Sequence, residues 1–231
     1  MAAVTLLGAA TWNTTAGDKT VTATPAVNDL IVIVAAASGT NETNAATTAV
    51  TDNNSSGTYI KLVDSANVGA PGSPRITAWV RTALIGAASS TVFTATQANS
   101  NGGGLAVCKV TGMTRVGFEA IRRAGVAVGA TSTTPTVVCI TPFLTGNACL
   151  GGVVNEGNPA TLTQPGSWSE LGDLGYNSPT SGLQVASRDS GETGSTITWG
   201  STSGSAWRAV AIELDVTALS GSTLGVLGVG G

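Results

Sequence analysis

The chain has 231 residues, of which 42% are hydrophobic and 10% are charged, and its formal net charge is −3. This hydrophobic content is too high for a disordered chain, and the length suits one large all-β domain or two small ones. Acidic and basic residues form no long runs. A nucleic acid or an anionic membrane would require a basic stripe, so we expect neither partner.

Short apolar or alternating runs recur about every ten residues and are separated by Gly, Asn, Ser or Pro, a spacing typical of β-sandwiches and barrels. In the first half we predict strands at residues 4–9, 19–24, 30–37, 58–64 and 75–84. Residues 39–57 and 66–74 are predicted to be long polar loops. A weak hairpin is predicted from residues 90–94 and 104–111.

The second half has the same rhythm. Residues 115–124 fit either a short helix or a bulged strand. Further strands are predicted at residues 126–130, 136–140, 147–154, 167–173 and 182–187. The clearest pattern closes the chain, where residues 195–199 and 207–214 are predicted to form a β-hairpin. Its second strand places Val210, Ile212 and Leu214 on one face. The other face carries Trp207, Ala209, Ala211 and Glu213.

The two halves align with each other. Residues 30–37 match 148–154, 58–64 match 167–173, 75–84 match 183–188, and the two hairpins match, with Lys109 at the position of Glu213. Each half offers too few strands to close its own core. We therefore predict an all-β antiparallel sandwich with little or no helix, built from a duplicated strand set. The predicted domain is 1–216, with halves 17–112 and 130–216 sharing one core, followed by a glycine-rich apolar tail, 217–231.

No catalytic pattern is visible. The chain has no histidine, which excludes Ser-His-Asp and Cys-His triads and histidine metal sites. Paired carboxylates could act as the acid and base of a glycosidase, and the candidates are Glu156, Glu170, Asp173 and Glu192. Nothing in the sequence pattern distinguishes any of them. Asn41-Glu42 and Asp52-Asn53-Asn54 are interpreted as hydrogen-bonded turns rather than a calcium site. We therefore predict a protein that is not an enzyme and has no catalytic residues, no cofactor and no metal.

Other chemistry-bearing residues are assigned structural roles. Cys108, Cys139 and Cys149 lie in apolar runs and are interpreted as buried thiols, with a Cys139–Cys149 pair as the alternative. Arg115, Arg122 and Arg123 are interpreted as solvated or locally ion-paired. The five tryptophans are Trp12, Trp79, Trp168, Trp199 and Trp207. We assign them to packing in the core, and the alternative is an exposed aromatic surface that stacks on sugar rings.

The amino terminus lacks the basic region of a signal peptide, and no stretch approaches the ~20 apolar residues that span a bilayer. We therefore expect synthesis in a cytosol and no membrane partner.

Several motifs resemble a known class of proteins. They are Asn28-Asp29 before a buried strand, Pro165-Gly166-Ser167-Trp168-Ser169-Glu170-Leu171, the Ser-Thr-Ile-Thr-Trp run at 195–199, and the Ser-Ala-Trp-Arg-Ala-Val-Ala-Ile-Glu-Leu run at 205–214. Together they resemble phage virion proteins with jelly-roll or related β-sandwich domains. The resemblance covers residues 17–216 and is strongest in the second half. The first half departs from it, with Tyr59 in place of the tryptophan and no Pro-Gly before it.

The resemblance implies a jelly-roll-like fold and a structural role in the virion. Among such proteins the chain is most similar to capsid decoration, or cement, proteins, which bind the outside of the major capsid protein lattice and stiffen it. The implied location is the capsid surface, and the implied assembly is a homotrimer. We expect the tail to dock on a partner, because its glycines disfavour a helix that could bury its apolar side chains. The expected docking residues are Leu219, Leu224, Val226, Leu227 and Val229.

The alternative prediction is a carbohydrate-binding or host-attachment module of a phage tail fibre or spike. Its glycan would bind at the loops 39–57 and 66–74, with Tyr59 or Trp79 stacking on a sugar ring. The two predictions differ in whether tryptophan is exposed at the surface.

Overall fold

The computed structural model describes residues 2–14, 16–39, 45–54, 57–65, 74–129, 134–157, 162–177, 179–200 and 206–216. Within these residues the chain forms fifteen strands and one 3₁₀ helix of four residues, Gly117–Ala120. Every strand pairing is antiparallel. The prediction of an all-β sandwich with little helix is confirmed.

The first half of the chain contributes eight strands. They are β1 (Ala3–Trp12), β2 (Gly17–Ala23), β3 (Leu30–Ser38), β4 (Ala46–Asp52), β5 (Tyr59–Asp64), β6 (Arg75–Arg81), β7 (Thr91–Ala98) and β8 (Gly102–Thr111). One sheet has the order β1-β8-β3-β6-β5, and a second has the order β2-β7-β4. An isolated bridge between Thr51 and Thr58 links β4 to the start of β5. This alternation of strands between two sheets is the jelly-roll order.

The second half repeats that order with seven strands. They are β9 (Ile121–Gly129), β10 (Thr136–Val138), β11 (Ala148–Glu156), β12 (Ser169–Tyr176), β13 (Ser181–Arg188), β14 (Thr196–Thr198) and β15 (Trp207–Leu214). Its large sheet is ordered β9-β15-β11-β13-β12, and β10 pairs with β14. Each strand of this large sheet has a counterpart at the same place in the first. The described residues contain no strand equivalent to β4.

The register confirms the alignment of the two halves. Leu30 pairs with Val110 in the first half, and their aligned counterparts Ala148 and Leu214 pair in the second. The repeat also includes β1 and β9, which lie outside the boundaries predicted for the two halves.

The sheets are stacked in four layers with three apolar cores. The central core lies between the two five-stranded sheets and combines residues such as Val32 and Val34 with Leu150, Val210 and Ile212. A second core separates the first large sheet from β2-β7-β4, and a third separates the second large sheet from β10 and β14. The central strands of both large sheets are therefore buried on both faces. The three-stranded sheet and the β10–β14 pair form the outer layers.

The two predicted hairpins are wrong. Strand β14 pairs with β10, and β15 pairs with β11 and β9. In the first half, β7 pairs with β2 and β4, whereas β8 pairs with β1 and β3. In a jelly roll the last two strands lie in different sheets, so closeness along the chain does not make them partners. The two faces assigned to β15 are nevertheless correct, because Val210 packs in the central core and Ala209 in the outer one.

Of three local predictions, one is corrected, one ambiguity is resolved and one is untested. The predicted loop 39–57 contains strand β4, whose Val50 packs in the outer core of the first half. Residues 115–124 contain both predicted alternatives in succession, with the 3₁₀ helix before the start of β9. Most of the predicted loop 66–74 lies outside the described residues.

The three cysteines and the five tryptophans are buried in apolar cores, as predicted. All three cysteines are buried and free, so Cys139 and Cys149 form no disulfide. Burial raises the pKa of Cys108 and of Cys149 to about 12. All five tryptophans are buried, and Trp168, Trp199 and Trp207 share the outer core of the second half.

Candidate functional site

The clearest exposed apolar surface among the described residues lies beside strand β9. Val126 and Val128 of this strand are 40% and 48% exposed. Val138, the last residue of β10, is 69% exposed, and Ile140, two residues further on, is fully exposed. Leu144 is also exposed nearby in the chain. Most large apolar side chains in this fold are buried, so an exposed cluster of them indicates an interaction surface.

A shallow groove of about 430 Å³ runs along this surface. Its walls are the β9 segment from Arg122 to Val126 and the segment from Val138 to Thr141. Gly125 allows the two segments to approach each other. A Cβ atom added to it would lie 3.0 Å from Val137 Cγ1 and 3.3 Å from Cys139 Sγ.

Strand β9 also presents an unpaired backbone edge. It is the last strand of its sheet and pairs only with β15 among the described strands. The backbone N–H and C=O groups on its other side are therefore available to an added strand. The irregularity in its pairing falls at its first residues, between Arg123 and Ile121, so the part from Arg123 to Gly129 is regular.

The other edges of the two large sheets are less suited to pairing. Strand β1 has a bulge between Leu6 and Gly8 and no exposed large apolar side chain. Strand β5 is bulged as well. Strand β12 is bulged and carries the acidic residues Glu170 and Asp173. Bulges and charges are features that protect sheet edges from pairing, and the part of β9 from Ala124 to Gly129 has neither.

A buried carboxylate fixes the start of the groove. Glu213 on β15 is fully buried, and its Oε2 atom lies 2.8 Å from Arg122 Nη1 and 2.7 Å from Arg123 Nε. Its Oε1 atom accepts hydrogen bonds from the Leu144 backbone N–H at 2.8 Å and from Asn147 Nδ2 at 2.7 Å. Glu213 thus ties the loop after β10 to β9, and it forms ion pairs with both arginines, as predicted for Arg122 and Arg123.

The predicted docking residues lie outside the described residues: Leu219, Leu224, Val226, Leu227 and Val229. The structure does show where the tail begins. The Asp215 N–H donates to the Ala120 carbonyl at 2.8 Å, and the Val216 N–H donates to Asn147 Oδ1 at 3.4 Å. The last described residues therefore lie beside the start of β9.

The alternative stacking residues do not present open ring faces. Trp79 is 6% exposed, its Nε1 donates to Thr77 Oγ1 at 3.0 Å, and Lys61 Nζ lies 5.1 Å from its ring centroid. Tyr59 is partly buried, and its hydroxyl donates to Asp52 Oδ2 at 2.8 Å. Burial and the negative charge of Asp52 raise the Tyr59 pKa well above its ordinary value.

The Asp52-Asn53-Asn54 run is a hydrogen-bonded turn. Asp52 is fully buried and paired with Arg81, with Nε 2.8 Å from Oδ2. Asn54 Nδ2 donates to the Ala87 carbonyl at 2.8 Å. Because Arg81 and Tyr59 already bind the Asp52 carboxylate, it is committed to joining β4 to the large sheet. Asn41 and Glu42 lie outside the described residues.

The four candidate carboxylates are placed as follows. Glu192 accepts a hydrogen bond from Trp168 Nε1 at 2.9 Å and pairs with Arg188. Although desolvation acts in the opposite direction, these contacts hold the Glu192 pKa below its ordinary range. Glu170 and Asp173 lie on edge strand β12, where partial desolvation and the Glu170 charge raise the pKa of Asp173 to about 6. Glu156 ends β11.

A second hollow of about 480 Å³ lies between the two halves, beside β1. It is lined mainly by hydroxyl groups, including Thr5, Ser167, Ser169 and Ser187. Asp189 at its rim accepts a hydrogen bond from the Val4 N–H at 2.9 Å. None of the four candidate carboxylates lines it.

Sequence reasoning missed the groove. The valines of β9 alternate as in any half-buried strand, and the sequence does not reveal that β9 is an edge strand. The only available signal was the density of apolar residues between 126 and 144 without charged residues among them.

In the described part of the chain, no helix is long and apolar enough to cross a membrane. A scan against models of protein families, a search of curated proteins and a search of solved structures each found no match.

Proposed function

We propose that this chain is a non-enzymatic structural protein of a phage virion, a capsid decoration protein that binds outside the major capsid protein lattice and stabilises it. The observation that carries the proposal is the groove beside β9, a regular unpaired strand edge flanked by exposed apolar side chains. Such a surface suits a protein segment that adds a strand and buries its side chains. The motif resemblance supplies the virion context.

The rest of the fold suits a stiff structural part. Four stacked layers bury both faces of the central strands of each large sheet, and the buried charged side chains of Asp52, Arg81 and Glu213 are engaged in ion pairs. Burying apolar surface stabilises an assembly by about 25 cal/mol per Å² removed from water. A rigid component loses little conformational entropy on binding, so more of that energy remains as affinity.

The proposal is tested by mixing the purified full chain with empty heads assembled from the major capsid protein alone. We expect the chain to sediment with the heads and to raise the temperature at which they break. Isolated phage tails provide the control. A chain that stays in the supernatant with heads but sediments with tails would overturn the proposal in favour of host attachment.

The host-attachment alternative has weaker support. Of its two stacking residues, Trp79 is buried and Tyr59 is hydrogen bonded to a buried carboxylate. Binding on a glycan array, together with protection of a tryptophan from acrylamide quenching by the bound sugar, would favour that alternative.

A further inference from the structure

We propose that the β9 groove of one copy binds the tail, residues 217–231, of a neighbouring copy as an added strand, so that copies of the chain are linked to one another. This proposal names the occupant of the site on which the proposed function rests. It requires three things of the tail: a sequence that suits the groove, sufficient length, and an exit that favours another copy's groove over its own.

The composition of the tail matches the groove. Residues 217–231 contain no charged side chain, and Gly225 and Gly228 separate Leu224, the Val226-Leu227 pair and Val229. In an extended strand, successive side chains alternate between two faces, so both faces of this segment are apolar.

The groove likewise has apolar groups on both sides of the β9 edge. Val126 and Val128 share a face of the strand with Ala124, which packs toward the central core. Ala127 faces the outer core of the second half, on the same side as Gly125. Val138 and Ile140 line the opposite wall of the groove, and both are exposed. An inserted strand would therefore bury apolar side chains on both of its faces.

The tail is long enough to reach a neighbour. The regular part of β9, from Arg123 to Gly129, is about 23 Å long at 3.3 Å per residue. A similar length of tail, residues 224–230, would pair with it. Residues 217–223 would then remain as a linker spanning up to about 23 Å.

The direction of the chain at its exit favours a neighbouring copy. Strand β15 runs antiparallel to β9, Leu214 pairs with Ile121, and Asp215 then bonds to Ala120. The chain is thus held on a course past the first residue of β9, away from the groove, which lies along residues 122–126. To enter its own groove, the tail would have to reverse direction and lie parallel to β9. A neighbour's tail can enter antiparallel, the slightly more stable pairing.

Two variants disable one partner each. Deleting Leu224–Gly231 removes the inserted strand and leaves the groove intact. Val126→Lys places a charge in the groove and leaves the tail intact, and Ile140→Asp does the same at a fully exposed position that folding does not use. Val27→Lys is the matched control, because Val27 is 50% exposed at a turn in the other half. Circular dichroism checks that each variant is folded.

Light scattering during gel filtration measures the mass of each sample. We expect the full chain and Val27→Lys to form a multiple of the 22.7 kDa monomer. The deletion, Val126→Lys and Ile140→Asp should each shift to the monomer, with association weakened at least tenfold.

Mixing the deletion variant with the Val126→Lys variant is the decisive test, because one intact groove then meets one intact tail. The expected product is a pair with one copy of each variant. A mixture that stays monomeric, or a full chain that is itself monomeric, would overturn the proposal and indicate that the tail occupies its own groove or another site. The capsid-binding experiment is independent: heads that bind a monomeric chain would retain the proposed function and reject this inference.

Discussion

The buried carboxylate of Glu213 provides the sharpest test of how the second half is held together. All four of its close partners are donors: the side chains of Arg122, Arg123 and Asn147 and the backbone N–H of Leu144. Glu213→Gln keeps the shape of the side chain but replaces one acceptor oxygen with a donor NH₂ group. Whichever way the amide turns, its NH₂ group faces two other donors, and both arginines lose their counter-charge.

The size of the effect follows from burial. Removing one partner of a buried ion pair costs about 3–5 kcal/mol. The side chains of Arg122 and Arg123 are 29% and 13% exposed, so water compensates them in part and the low end of that range applies. A loss of about 3 kcal/mol lowers the melting temperature of a chain of this length by roughly 6–12 °C.

Thermal and urea unfolding, followed by circular dichroism, measure this loss. Glu119→Gln is the matched control, because Glu119 is exposed in the 3₁₀ helix just before β9, and its melting temperature should stay within about 2 °C of the parent chain. A Glu213→Gln protein as stable as the Glu119→Gln protein would refute the assignment of Glu213 as the buried anchor of β9 and of the loop after β10.

Two further predictions concern the central core and the pH dependence of stability. A Cβ added to Gly152 would lie 2.8 Å from Val34 Cγ1 of the opposite sheet, so Gly152→Ala should destabilise the chain by about 1–2 kcal/mol in urea unfolding. Gly146→Ala, whose new Cβ meets no atom within 4 Å, should be neutral, and equal effects at the two sites would contradict the stacking of the sheets. The pKa of Asp173 is raised to about 6 in the folded chain, so its ionisation opposes folding as the pH rises from about 4 to 7. Asp173→Asn should therefore become more stable than the parent chain as the pH rises through that range, by less than about 1 kcal/mol because the side chain is exposed. Below pH 4 the two proteins should be equally stable. A stability difference that is constant with pH would argue against the raised pKa of Asp173.

The residues of the core could be predicted from the sequence because strand periodicity is local. Alternation placed Val210 and Ile212 on one face of β15 and Ala209 on the other, and the structure confirms both faces. The alignment of the halves was informative for the same reason, since equivalent strands carry similar patterns wherever they lie. The aligned residues occupy equivalent places in the two sheets, since Leu30 pairs with Val110 and Ala148 pairs with Leu214.

Strand pairing could not be predicted from the same signals. A short polar segment between two apolar runs suits a hairpin, but it suits equally a connection that crosses from one sheet to the other. The chain makes the second choice at residues 99–101, between β7 and β8. The buried partners of Glu213 were equally hidden, because Asn147 and Leu144 are distant from it in sequence and contact it only through the tertiary fold.

The candidate site was hidden for a related reason. The exposure of Val126 depends on the position of β9 at the end of its sheet, which is a property of the whole topology. The tail, by contrast, stands out in the sequence as an apolar, glycine-rich segment. The sequence predicts that it docks on a partner, and the groove beside β9 suggests which surface it would bind.

The most direct test of the proposed role is to label whole phage particles with gold-coupled antibodies against this chain and to view them by electron microscopy. We predict label spread over the surface of the head. Label confined to the tail tip would contradict a decoration role and favour host attachment, and particles without label would contradict any place for this chain on the outside of the virion.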